Sequence, residues 1–140
     1  MAFDIAVKTQ ELTGNEDRRW TGLRKGYDTC RSITLDLSTF APEHLTLKGA
    51  IPSGIVLARI TATGKYGPLG VAGSEGAAGF LFNTTPIKEG TLPTAADVGV
   101  PLMWEGLIKT AFLPAFTGTT LGVLDAGART ALPFFKFEDV

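Results

Sequence analysis

Residues 55–62 read IVLARITA, a short apolar run that is rich in β-branched side chains. Such side chains favour extended backbone, and a run of this length is typical of a strand. The segment IPSG at 51–54 precedes it and TGKYGP at 63–68 follows it, and both carry the glycine and proline that turns require. The stretch therefore predicts a β-strand that lies between two turns.

Working outward from this strand, the same kind of pattern recurs along the chain. Short strands are predicted at 31–38, at 78–85, over 100–113 as one strand or two, and at 134–137. Asp125 is placed to cap a short helix that Pro133 ends. The predicted fold class is mainly β (β-rich α+β), a small single domain of short strands with one or two short helices.

The N-terminal segment differs in composition from the rest of the chain. The first 31 residues hold six Lys/Arg and five Asp/Glu, whereas the other 109 hold seven and nine. Phe3, Ile5 and Val7 alternate with more polar residues, which indicates an extended arm. We therefore predict an arm over 1–28, partly mobile when the protein is free, and a β-rich domain over 29–140.

Trp20 is a large apolar side chain within this charged arm, where it follows two arginines. A tryptophan beside arginine is common in protein interfaces, because both side chains desolvate well. Packing in the core and contact with a partner are both open for Trp20. For Trp104, which lies in a strand-like segment, a core position is the more ordinary interpretation.

Composition bounds the class of protein. The net charge of −1 gives no general attraction for nucleic acid or for an acidic membrane. Only 19% of the residues are charged, which favours a subunit that covers apolar surface in an oligomer. Cys30 is alone, so no internal disulfide is possible, and neither a signal peptide nor a membrane-spanning run is evident.

Two glycine-containing segments, at Gly64-Lys65 and at 70–79, resemble nucleotide-binding loops in composition but not in spacing. A phosphate-binding loop that ended at Gly64-Lys65 would need glycine at 59 and serine or threonine at 66, but the chain has Arg59 and Tyr66. This segment is therefore interpreted as a turn. Residues 70–79, GVAGSEGAAG, lack the dinucleotide spacing and are interpreted as a flexible surface loop.

Catalytic chemistry has few candidate residues in this sequence. His44 is the only histidine, and its neighbours Pro42 and Glu43 predict an exposed turn. A closed zinc site needs several His or Cys ligands, and the chain has one of each. The prediction is a protein that is not an enzyme and that has no metal or cofactor site.

Taken together, four segments resemble the bacteriophage head decoration proteins of the lambda protein D type. They are PSGIVLARITATGKYGPLG at 52–70, GSEGAAGFLF at 73–82, TAADVGVPLMWEGLIKTAFLP at 94–114 and LDAGARTALPFFKFEDV at 124–140. The order and spacing of these segments carry the resemblance, which covers roughly residues 29–140.

The resemblance implies a homotrimer that lies on the outer capsid surface of the virion. The virion would be assembled in the host cytoplasm. Its partner would be the phage major capsid protein, and the trimer would stabilise the expanded head against packaged DNA. Phe3, Ile5, Val7 and Trp20 would belong to the capsid-binding arm. Trp104 and Tyr66 are candidates for trimer or capsid contacts, without direct contact to nucleic acid or membrane.

A second interpretation also fits a β-rich domain. The chain would be a carbohydrate-binding or host-surface-binding module displayed on a virion. Trp20, Tyr27 or Tyr66 would then supply an exposed aromatic platform on which a ligand stacks.

Overall fold

Five strands close into a small barrel. The computed structural model describes residues 18–22, 26–45, 49–87 and 97–139, to which all structural statements refer. The barrel strands are β1 (Arg31–Leu35), β3 (Val56–Ile60), β4 (Tyr66–Pro68), β5 (Ser74–Leu81) and β7 (Val98–Met103). They follow the order β1-β4-β3-β5-β7, and β7 pairs with β1 to close the ring. All pairs are antiparallel except β1 with β4.

Shorter elements lie outside the barrel. β2 (Ala50–Ile51) pairs with β6 (Thr85–Pro86), and β8 (Gly106–Lys109) pairs in parallel with β9 (Phe135–Glu138). An α-helix, α1, spans Ala126–Ala131 and is the one α-helix of the described residues. Single 3₁₀ turns cover Leu37–Thr39, Pro42–His44 and Thr110–Phe112. The described part of the chain is mostly β, as the sequence predicts.

Buried side chains form two clusters on opposite faces of the barrel sheet. On three barrel strands, two consecutive residues divide between the clusters: Val56 and Leu57, Phe80 and Leu81, and Leu102 and Met103. Successive strand residues point to opposite faces. The cluster with the three leucines therefore fills the barrel, and the other lies between the barrel wall and an outer layer of α1, β8 and β9. Because both faces of β3 are covered, IVLARITA is almost continuously apolar.

Local signals placed several elements correctly. The run at 55–62 forms β3, and Asp125 caps α1 by accepting a hydrogen bond from the Ala128 N–H at 2.7 Å. The strand predicted over 31–38 is shorter than expected. It ends at Leu35, because Asp36 accepts a hydrogen bond from the Ser38 N–H at 3.1 Å and so starts a 3₁₀ turn.

The interpretation of residues 70–79 as a flexible loop is wrong for their second half. Residues from Ser74 onward belong to β5, which pairs with β3 and β7. The glycine content reflects close packing between strands. A Cβ atom at Gly79 would lie 2.3 Å from the Met103 carbonyl oxygen, so a larger residue does not fit at this contact.

Replacement of Gly79 by alanine is expected to lower the free energy of unfolding by about 1–3 kcal/mol, because β7 must shift to relieve the overlap. The matched control is Gly99→Ala, at a barrel position where the nearest atom to an added Cβ is 3.9 Å away. Urea denaturation of both variants tests the prediction. Equal stability of the two variants would contradict a tight contact between β5 and β7.

Candidate functional site

Trp20 lies in the protein core. Its side chain is 1% exposed, its ring centroid is 5.6 Å from that of Phe80, and its Nε1–H donates to Ser53 Oγ at 3.2 Å. The prediction that Trp20 belongs to an exposed capsid-binding arm is therefore wrong. Burial of a large aromatic surface outweighs the charged surroundings of the residue in the sequence.

Main-chain hydrogen bonds tie the same segment to the outer layer. The Lys109 N–H donates to the Trp20 carbonyl at 2.7 Å, and the Gly22 N–H donates to the Leu107 carbonyl at 2.8 Å. Thr21 forms an antiparallel bridge with Ile108. Residues 20–22 therefore lie beside β8, along the edge that β9 does not occupy.

Arg18 and Tyr27, which flank residues 20–22 in the sequence, both pack against Phe82, which directly follows β5. The Arg18 guanidinium lies 4.0 Å from the centre of the Phe82 ring and bonds the side chain of Asn83. The Tyr27 ring meets Phe82 edge-on at 4.8 Å, and its hydroxyl bonds Thr21 at 2.5 Å. Residues 18–22 and 26–28 therefore belong to the domain, which corrects the boundary predicted at 28. We call residues 18–22 the arm root.

Two further predictions concern the other arm residues and an exposed aromatic platform. Phe3, Ile5 and Val7 lie outside the described residues, so their assignment stays a prediction. A stacking platform that uses Trp20 or Tyr27 is not formed, because the first ring is buried and the second is half-buried against a neighbouring ring. Tyr66 is also half-buried and packs against the cluster inside the barrel.

Trp104 borders a groove on the outer layer. The groove has a volume of about 720 Å³, and its walls come from residues 104–107 and from residues 133–136 and 138. Trp104 itself is half-buried, and its Nε1–H donates to the Thr29 carbonyl at 2.6 Å. The Trp104 ring is therefore part of a surface feature, and we call this feature the aromatic groove.

Phe134 completes the aromatic groove, and sequence analysis did not single it out. Its side chain is 67% exposed, and its ring meets that of Trp104 edge-on with centroids 5.5 Å apart. A usable signal was present in the sequence FFKF. Phe135 and Phe137 alternate with Lys136 along β9 and pack toward the core. Phe134, in the turn one position before β9, lies on the outer side.

The chain beyond β9 is fixed to the helix. Asp139 accepts hydrogen bonds from the Arg129 guanidinium and the Thr110 hydroxyl, each at 2.7 Å. These bonds, that of Arg129 above all, hold the pKa of the Asp139 carboxyl below its usual value. β9, which lines the aromatic groove, is thereby held by β8 along its length and by α1 just after its last residue.

Gly64 and Lys65 lie in the turn that joins β3 to β4. The Gly64 N–H donates to the Ile60 carbonyl at 2.8 Å and the Ile60 N–H donates to the Lys65 carbonyl at 2.7 Å, so β3 reverses directly into β4. The Lys65 ammonium lies 2.5 Å from the Asp97 carboxylate, and this hydrogen bond raises its pKa. The interpretation of this segment as a turn is confirmed.

His44 is buried, so the predicted exposed turn is wrong. Its Nδ1 accepts a hydrogen bond from the Ala41 N–H at 3.0 Å, and its Nε2 lies 3.0 Å from the Leu121 carbonyl oxygen. Because that oxygen can only accept, the proton is on Nε2 and both ring nitrogens form hydrogen bonds.

Cys30 is half-buried, and desolvation raises the pKa of its thiol.

The described residues contain neither a metal-binding cluster nor a helix of membrane-spanning length. Within them, no three His, Cys, Asp or Glu side chains are grouped so that they could hold a metal ion. No helix in the same part of the chain is long and apolar enough to cross a bilayer. Comparisons with protein-family models, curated proteins and solved structures give no match to this chain.

Proposed function

We propose that the chain is a non-enzymatic decoration protein of a phage head. It binds as trimers to the outer surface of the expanded shell, contacts the major capsid protein through its N-terminal arm and stabilises the head against the pressure of packaged DNA. The proposal starts from the resemblance of residues 29–140 to that family. The structural observation that supports it is the fixed arm root.

A decoration protein must carry load between its arm and its domain. The arm root is held by the buried Trp20 ring, by main-chain bonds to β8 and by Arg18 on the barrel. Force applied to residues before 18 would therefore pass directly into the core. A segment without such contacts would extend under load and would not clamp neighbouring capsid subunits.

The residues ahead of the root have the pattern needed for strand addition. Phe3, Ile5 and Val7 alternate with Asp4 and Ala6. In strand addition, main-chain hydrogen bonds supply affinity and alternate side chains supply specificity. Ordering the arm costs about 1–2 kcal/mol per residue, so one arm binds weakly. Three arms on one trimer raise the avidity by about 10²–10⁴ without further contacts.

Removal of residues 2–17 is expected to weaken binding to expanded, undecorated heads by about 100-fold or more, because three linked arms are lost. The deletion stops before Arg18, so the arm root and the fold remain. Co-sedimentation with heads measures the binding, and light scattering measures the mass of the free protein. The full chain should saturate the heads in multiples of three copies.

Point variants on the two faces of the arm separate the contribution of its apolar side chains to head binding from that of its charged side chains. Ile5→Ser should weaken binding, whereas Lys8→Ala, on the opposite face of the alternation, should have a smaller effect. If the chain that lacks residues 2–17 binds heads as tightly as the full chain, the arm mechanism is wrong. If the full chain binds no expanded head and is a monomer at high concentration, the proposed function is wrong.

A further inference from the structure

The aromatic groove is the most exposed apolar feature of the described residues. Only Phe112 and Phe134 are large hydrophobic side chains with high exposure there, and Phe134 is the more exposed at 67% against 40%. Exposed apolar surface that lies in a concave site is typical of a binding site. The groove volume of about 720 Å³ is within the range of small-molecule sites.

The Trp104 ring of the groove is held in place before any ligand binds. The Trp104 indole is fixed by its 2.6 Å hydrogen bond to the Thr29 carbonyl, and the Arg31 guanidinium lies 4.8 Å from the ring centre. Phe134 meets Trp104 edge-on. Preorganised side chains lose little conformational entropy on binding, which favours a ligand that stacks on a ring.

The charges around the groove are balanced and open to a ligand. Glu105, Lys136 and Glu138 line it, and within the described part of the chain none of these three side chains forms an ion pair. Two carboxylates oppose one ammonium and the neighbouring Arg31 guanidinium, so the formal charges cancel. The groove therefore offers both hydrogen-bond donors and acceptors, without net attraction for an anion or a cation.

We propose that the aromatic groove binds a neutral oligosaccharide. A sugar ring has an apolar C–H face, which would stack on Phe134, and a rim of hydroxyls. These hydroxyls would donate to the carboxylates of Glu105 and Glu138 and accept from the Lys136 ammonium. A protein partner would bury those charges away from water and would have to pair each of them, whereas a sugar leaves them partly hydrated. The site is independent of the N-terminal arm and of the proposed capsid function.

The experiment uses the full chain and its two tryptophans. A glycan array that carries neutral and sialylated oligosaccharides identifies the preferred class. Titration with maltotetraose, cellotetraose, mannotetraose and sialyllactose then follows Trp fluorescence. A neutral sugar should change the emission saturably, and Trp104→Phe should abolish that change, since Trp20 is buried. Phe134→Ala should lower the affinity by about tenfold or more.

The matched control is Phe112→Ala, which removes an exposed phenylalanine that is not part of the groove lining and should leave the affinity within about twofold. Urea denaturation checks that both variants are folded. Absence of binding to every neutral glycan, a preference for sialylated glycans or unchanged affinity in Phe134→Ala would each overturn the proposal. A lower oligomeric mass in Phe134→Ala without any glycan binding would also overturn it, and would assign the groove to contact between copies of the chain.

Discussion

Replacement of Trp20 by alanine is expected to lower the free energy of unfolding by about 3–5 kcal/mol, the range for deletion of a buried aromatic side chain. The Trp20 ring is 1% exposed and lies against Phe80, which is itself fully buried. The substitution would also leave Ser53 Oγ without the indole hydrogen bond at a buried position. Urea denaturation followed by circular dichroism measures the loss.

Trp20→Phe is the companion variant. It keeps an aromatic ring but removes the indole N–H and part of the buried volume, so we expect a smaller loss of about 1–2 kcal/mol. A loss below about 1 kcal/mol in Trp20→Ala would contradict the core position. Residues 18–22 would then return to the arm, and the support that the arm root gives to the proposed function would be lost.

The same variant links stability to the proposed function. If the arm root transmits force, as proposed, Trp20→Ala should weaken the protection of heads more than it weakens binding of the protein to heads, because the arm itself is unchanged. Comparison with the chain that lacks residues 2–17 separates the two effects. The deletion would remove the proposed contact with the shell, whereas Trp20→Ala would loosen the attachment of an intact arm to its domain.

Sequence reasoning could not decide between a core and a partner-contact position for Trp20, and the reason is identifiable. A single aromatic residue among charges has no periodicity, and its partner Phe80 is 60 positions away in the sequence. Only tertiary packing decides between core and surface in such a case. The β5 error has a related cause. Glycine is a strong turn signal, but Gly79 is required by the approach of the Met103 carbonyl, which is a non-local contact.

Where local physics decides, the sequence was sufficient. β3 follows from the β-branched run at 55–62, and the start of α1 follows from the side chain of Asp125. The inward-facing positions of Phe135 and Phe137 fit the alternation along β9, which begins one position after Phe134. The juxtaposition of Phe134 with Trp104 could not be predicted, because it depends on the parallel pairing of β8 with β9. In that pairing Gly106 lies opposite Phe135, and 28 positions separate them in the sequence.

Replacement of His44 by alanine is expected to lower the free energy of unfolding by about 2–4 kcal/mol, since a half-buried backbone donor and a half-buried backbone acceptor would each lose a partner. His44 is fully buried and joins the Ala41 N–H to the Leu121 carbonyl. Its ring also meets Phe40 and Phe116 edge-on at 5.7 and 5.0 Å. The histidine therefore ties the loop around Leu121 to the 3₁₀ turn at Pro42–His44.

Two further variants separate the contributions at this position. In His44→Asn, the amide oxygen can still accept from the Ala41 N–H, but the shorter side chain does not reach Leu121, so about half of the loss should be recovered. Glu43→Ala, at the exposed neighbouring position, should change stability by less than about 0.5 kcal/mol. Urea midpoints rank the three variants. If His44→Ala proves no more costly than Glu43→Ala, the imidazole does not hold the two segments together, and the cluster of rings around it must be stable without it.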